Sequence, residues 1–209
     1  MIMTMPSLRR LLVTTSLVAG LLAGTGIAQA GSDTEVMTAT CAGCHGVDGT
    51  STGLATPTIA GLPVDYFVDA MGAYKVDAMG AYKKDAKPST VMARIAKGYS
   101  DEEIQAMARH FLAKPFGRPE QKTDLAKVEA GKALAAKYCG TCHEDEGRVA
   151  EGVGVLAGQK LTYMKYSVAD FLSGDREMEK RQKQKFDTLL AEQGRDAFDA
   201  VLHYYASRQ

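Results

Sequence analysis

The sequence predicts an all-α protein built as two tandem small domains. Three observations carry that prediction: one cysteine–histidine pattern occurs twice, apolar residues near each copy recur at three- and four-residue multiples, and no convincing run of strand-like alternation appears. Of 209 residues, 45% are hydrophobic and 24% charged, an ordinary globular composition. Lys plus Arg and Asp plus Glu are both 25, so the basic excess of a nucleic-acid binder is missing and no DNA or RNA partner is expected. Domains of about 100 residues bury little surface unaided, so a further contributor to each core is to be sought.

In chain order, the first element is a targeting segment. Arg9 and Arg10 precede an apolar run over residues 11–28, and Ala28-Gln29-Ala30 has the small-x-small form of a signal-peptidase site. Residues 1–30 are therefore read as a cleaved signal peptide and the mature chain as periplasmic. Export decides how the cysteines are read. Beyond an inner membrane, disulfides and c-type haem attachment are possible, whereas in a cytosol the same residues suggest zinc or redox catalysis.

Cys41, Cys44 and His45 form one C-x-x-C-H pattern, and Cys139, Cys142 and His143 form the other, using all four cysteines. On a helical turn, residues three apart share a face, so two thiols can bond the haem vinyl groups while the adjacent imidazole reaches the iron. A thioredoxin-like pair, a disulfide or half of a zinc site competes for a single copy. Two copies with histidine at the same offset in an exported chain favour two covalently bound haem c groups.

The motifs sit in a longer repeat. Ile59-Ala60-Gly61 has Tyr66 five residues beyond the glycine, and Leu156-Ala157-Gly158 has Tyr163 at the same offset; both tyrosines read as core. The domains expected are residues 31–114 and 123–209, joined by a linker over 115–122 that contains Pro115, Gly117 and Pro119. Ser100 to Glu103 reads as a capping box ahead of an apolar face of Ile104, Met107, Ala108 and Phe111. Leu125, Val128, Leu134 and Tyr138 lead a helix into the second motif, with Thr123 as its expected N-cap.

Axial ligands set the chemistry of such a site. His110 and His203, the histidines outside the motifs, read as surface or satisfied core residues. In small single-haem cytochrome c domains the sixth ligand comes from a segment before the terminal helix, which selects Met92. Met178, in a charged irregular stretch, is the counterpart, while Met164 between Tyr163 and Tyr166 reads as packing. Pro57, twelve residues after His45, stands where small cytochromes c carry a proline, which implies that its carbonyl accepts the imidazole N–H, and Val155 stands at the same count after His143. The charged run from Glu177 to Lys185 reads as a solvated helix face.

Together these features resemble the tandem class I cytochromes c that carry two haems, over the whole mature chain. The strings Arg94-Ile95-Ala96-Lys97-Gly98-Tyr99-Ser100, Leu156-Ala157-Gly158-Gln159 and Tyr204-Tyr205-Ala206-Ser207 are similar to those of the cytochrome subunit of flavocytochrome c sulfide dehydrogenase. The resemblance implies His45 with Met92 on the first haem and His143 with Met178 on the second. It also implies an FAD-containing flavoprotein subunit that oxidises sulfide and passes electrons to this chain, with a soluble cytochrome or other acceptor downstream. The chain by itself is then no enzyme but the electron-transfer subunit of a sulfide dehydrogenase heterodimer, since a flavin holds two electrons and each haem one. The alternative is a free periplasmic dihaem carrier feeding a terminal oxidase; a dihaem peroxidase needs an open iron position or a distal acid, and nothing clearly supplies one.

One feature departs from that family. Residues 68–75 are repeated without change over 76–83. Eight residues turn a helix by about 800°, leaving an 80° offset, so the copies cannot share a face. His45 to Met92 spans 47 residues and His143 to Met178 spans 35, and removing one copy brings the first spacing to 39. Met92, rather than Met71 or Met79, is expected to keep the ligand role.

Overall fold

The computed structural model describes residues 26–78, 89, 91–149 and 152–209. Most of the expected signal peptide, the greater part of the second repeat copy and Met79 lie outside the described residues. Among the described residues the chain is helical, with one isolated β-bridge between Glu144 and Val149 and no strand. No helix among them is long and apolar enough to cross a membrane.

The first half holds α1 (Gly26–Ala39), α2 (Ala42–His45), α3 (Val64–Ala78), α4 (Met92–Ala96) and α5 (Asp101–Leu112). Ser100 caps α5 as expected: its Oγ accepts the Glu103 N–H at 3.2 Å and its own N–H donates to Glu103 Oε2 at 2.7 Å. Behind the cap, Ile104, Met107, Ala108 and Phe111 are all buried and meet Leu62, Phe67, Met71 and Tyr74 in one core. Positions 67, 71 and 74 fall at helical spacing, so the first repeat copy faces this core and Met71 is packing.

The second half holds α6 (Leu125–Tyr138), the single turn α7 (Glu144–Gly147), α8 (Leu161–Ser173), α9 (Lys180–Gln193) and α10 (Asp196–Ala206). α6 is capped by Asp124 and not Thr123: the carboxylate accepts the N–H groups of Ala126 at 2.9 Å and Lys127 at 3.2 Å. A carboxylate satisfies two orphan donors where a hydroxyl one residue earlier would reach fewer. Of the four apolar positions expected to face inward, Val128 and Tyr138 are buried and Leu134 partly so, but Leu125 is 79% exposed, since it opens the helix beyond the packed face. Gly131 lets α6 lie on the backbone of α10.

The halves are packed on each other. Val155, from the second, is buried within the first half's core, and the Tyr66 ring, from the first, lies over Gly154. Arg118 and Gln121 fasten the segment between the halves to the Ala157, Gly158, Gln159 and Ala206 carbonyls.

Candidate haem-binding site

Each cysteine motif is one helical turn. In the first, the Cys41 carbonyl accepts from the N–H of Cys44 at 3.2 Å and of His45 at 2.8 Å; in the second, Cys139 accepts from Cys142 at 3.1 Å and His143 at 3.0 Å. The turn holds the two cysteines and the histidine of each motif on one short stretch of helical backbone. All four cysteines are unbridged, with Cys44 and Cys142 exposed. Burial pushes the Cys41 thiol up and carries Cys139 to about 11. No group of three or more His, Cys, Asp or Glu side chains is gathered as a metal site among the described residues, so the motifs do not share a four-thiolate centre.

A second shared device seats the loop behind each histidine. The Gly49 carbonyl accepts the N–H groups of Ile59 and Ala60, and the Gly147 carbonyl those of Leu156 and Ala157. Gly49 and Gly147 have φ of +80° and +86°, and a Cβ there would strike the rings of Phe111 and Tyr205. Only glycine tolerates both demands. Gly61 and Gly158 then donate their N–H groups to the carbonyls of Phe111 and Tyr205 on the terminal helices.

His45 is buried, and its Nδ1 lies 2.8 Å from the Pro57 carbonyl, as expected. A carbonyl only accepts, so Nδ1 carries the proton and Nε2 keeps its lone pair for a metal. His143 differs from expectation. Its Nδ1 is buried with no hydrogen-bond partner among the described residues, and the carbonyl that acts on it is that of Gly154, too poorly placed to bond. Val155, the residue expected in that place, instead puts its side chain in the first half's core. The reason is length: the path from Gly147 to its partner Leu156 is one residue shorter than that from Gly49 to Ile59. Desolvation lowers the pKa of both histidines, that of His143 to about 4, which holds them in the neutral, ligating form.

Free thiol pairs beside a buried His45 and a half-buried His143, both held neutral, suit a covalently held haem c at each turn. Met92 opens α4, half-buried against the first core, with its N–H donating to Ser89 Oγ at 3.0 Å. Met178 is half-buried in the irregular stretch between α8 and α9. Met164 is 3% exposed in the second core, as its setting predicts. His110 packs edge-on against Phe111, and His203 is a satisfied core residue whose Nδ1 accepts the Asp124 N–H at 3.0 Å. Sequence reasoning missed Gln159, which is buried against the Thr58 backbone. Its signal was a polar residue at the repeat position that holds Leu62 in the first half.

Residues 33–113 match the cytochrome c family. The chain is 39% identical over 77 residues to the cytochrome subunit of sulfide dehydrogenase of Chlorobaculum tepidum, spanning 37% of this chain and 62% of that protein. It is 33% identical over 102 residues to cytochrome c-553 of Nitratidesulfovibrio vulgaris, covering 48% of this chain and 94% of the relative. The structure of reduced cytochrome c4 from Pseudomonas stutzeri overlays with a TM-score of 0.73 at 22% identity, covering 85% of this chain and 98% of that one, which gives the fold of two tandem class I domains. With one relative matched along nearly its full length, and with both halves built on one plan, the chain belongs to the cytochrome c family.

Proposed function

We propose that this chain is a periplasmic dihaem electron carrier and the cytochrome subunit of a sulfide-oxidising flavoprotein complex. The observation that carries the carrier reading is the paired helical turn in which two unbridged thiols precede a neutral imidazole, buried at His45 and half-buried at His143. Cys41 and Cys44 would hold the first haem c and Cys139 and Cys142 the second, with His45 and Met92 as the iron ligands of the first and His143 and Met178 as those of the second. Each haem supplies one-electron iron chemistry when bound. The chain's own part is to fix the imidazole tautomer, exclude water from the ligand side and hold the two centres in one packed body. In this reading residues 1–30 are removed, 31–114 and 123–209 are the two domains, and 115–122 links them.

The partner reading is supported by the likeness to a cytochrome subunit of sulfide dehydrogenase. Oxidising sulfide to the level of sulfur releases two electrons, which one flavin takes together and two haems take singly. Among the described residues there is no strand, and so no strand-turn-helix unit for a dinucleotide, and this reading places the FAD on another polypeptide.

Purification from the native periplasm in high salt tests both parts. The expected result is an intact mass two haems above the polypeptide, a yellow flavoprotein retained with it, and reduction of both haems by sulfide. One haem, or zinc with none, overturns the carrier reading. A solitary dihaem protein that a terminal oxidase accepts efficiently, and that sulfide reduces no faster than a control cytochrome, establishes the free carrier instead. Met92→His and Met178→His should each weaken the methionine-to-iron charge-transfer band; no change in either variant removes these residues as ligands.

A further inference from the structure

The peptide between Pro57 and Thr58 is used on both of its faces. Its carbonyl lies 2.8 Å from His45 Nδ1, and its N–H donates to Gln159 Oε1 at 2.9 Å. The chain of groups is thus His45 N–H to carbonyl, then through one amide to N–H and the Gln159 side chain. Gln159 Nε2 returns to the Thr58 carbonyl at 2.9 Å, and Oε1 also accepts the Lys160 N–H at 2.9 Å. Gln159 is 3% exposed and Thr58 fully buried, so water does not compete for these bonds. They cross between the halves, joining residues 101 apart in the chain.

The second half has no such arrangement toward it. The register of Ala60 with Ala157 and Gly61 with Gly158 sets Leu62 opposite Gln159 in the repeat, and a leucine offers no acceptor. What the first half sends across is the Tyr66 ring, which lies against Gly154.

We propose that Gln159 is a positioning residue for His45: from the second half it tunes the reduction potential of the first haem through the Pro57–Thr58 peptide. An amide whose N–H is bonded is polarised, and its carbonyl becomes the stronger acceptor, as in any hydrogen-bond chain of low surrounding dielectric. A stronger acceptor on Nδ1–H makes the imidazole more basic, and a more basic ligand favours the oxidised metal. The same bonds hold the carbonyl in the plane the imidazole needs. Hydrogen bonds across the docked halves therefore reach His45, whereas toward His143 the contact is the Tyr66 ring against Gly154. The inference rests on the reading that Cys41, Cys44 and His45 hold a haem.

The test uses full-length holoprotein with Gln159→Leu, which installs the residue of the first half. Spectroelectrochemical titration reads both midpoints, assigned by the drop that Met92→His produces, and nuclear magnetic resonance reads the His45 Nδ1–H in the reduced state. The first haem should become easier to reduce by about tenfold, or about 59 mV for one electron. Its Nδ1–H resonance should move upfield, and the second haem should stay in place. Gln159→Glu keeps the acceptor with added charge and should move the Nδ1–H resonance downfield; it decides the matter if the leucine variant does not fold. An unmoved Nδ1–H resonance, or equal shifts of both midpoints, overturns the role of Gln159. Absence of haem on the Cys41–Cys44 peptide would instead bring down the carrier reading beneath it.

Discussion

After their motif histidines the two halves reverse direction with different backbone paths and different chemistry. In the first, Gly46 and Gly49 take φ of +82° and +80°, and a Cβ on Gly46 would lie 2.1 Å from the Thr50 carbonyl oxygen. In the second, glycine remains only at Gly147, and Asp145 and Glu146 take φ of +45° and +53°. A left-handed residue other than glycine costs about 1 kcal/mol or more. That cost is offset by bonds to one carboxylate: Glu146 accepts from Tyr204 Oη at 2.9 Å and Arg148 Nη1 at 3.1 Å, with Arg208 at 3.6 Å. One half relies on backbone freedom and the other on side-chain charge, so only the second should respond to acid at this turn.

The largest way to separate the halves is at the α6–α10 crossing. A Cβ at Gly131 would lie 2.1 Å from the Ala200 carbonyl oxygen and 3.0 Å from Tyr204 Cβ, and backbone cannot swing aside as a side chain can. Gly131→Ala should destabilise the second half by about 3 kcal/mol, the upper part of the range for overpacking. Unfolding followed in the haem bands should lower the second half's transition while the first half, whose α1 packs on α5, keeps its own. A variant as stable as the parent means the helices part freely, and Gly131 is then incidental.

The next effect compares the two helix caps. Asp124→Ala strips two N–H groups of α6 and the charge facing the helix dipole, and should cost about 1.5 kcal/mol. Ser100→Ala breaks the reciprocal bonds of the α5 box and should cost about 1 kcal/mol. Denaturant midpoints of the two variants rank them; the reverse order would mean that the box, with its two-way bonding, outweighs the carboxylate.

These comparisons also mark where the sequence was legible. The Ser100 box, the buried face of α5 and the helical turn of each motif follow from local spacing, the Pro57 carbonyl follows from the place where small cytochromes c carry a proline, and the structure has them. The misreadings came from counting along the chain. Twelve residues after His143 lands on Val155, but equivalence is fixed by the Gly147 carbonyl and its partners, which shift the match to Gly154. Thr123 lost the cap to Asp124 because the helix start is also held by His203, 79 residues away. Gln159 meeting Thr58 is a contact of the same long-range kind. The proposed ligand Met92 was chosen for its place ahead of the terminal helix and Met178 by setting it against Met164, which does fill a core, as does Met71.

The smallest expected effect is acid sensitivity of the second half's turn. The Tyr204 hydroxyl, then the Arg148 guanidinium, hold the Glu146 carboxyl below its ordinary range. A folded pKa below the unfolded one stabilises the protein above the unfolded value, about 4.3, and the gain fades as pH falls through the folded value. Glu146 is partly exposed, with 39% of its side chain open to water, so screening keeps the contribution under about 1 kcal/mol. Glu146→Gln, measured against the parent by chemical unfolding at about pH 7, 5 and 3, should be the less stable protein at the first two, and the gap should narrow at the last. Taking the difference between the two proteins cancels the titration of every other group, including His143. Parallel pH curves for Glu146→Gln and the parent would instead mean that the left-handed pair is held by packing against Tyr204 and not by charge.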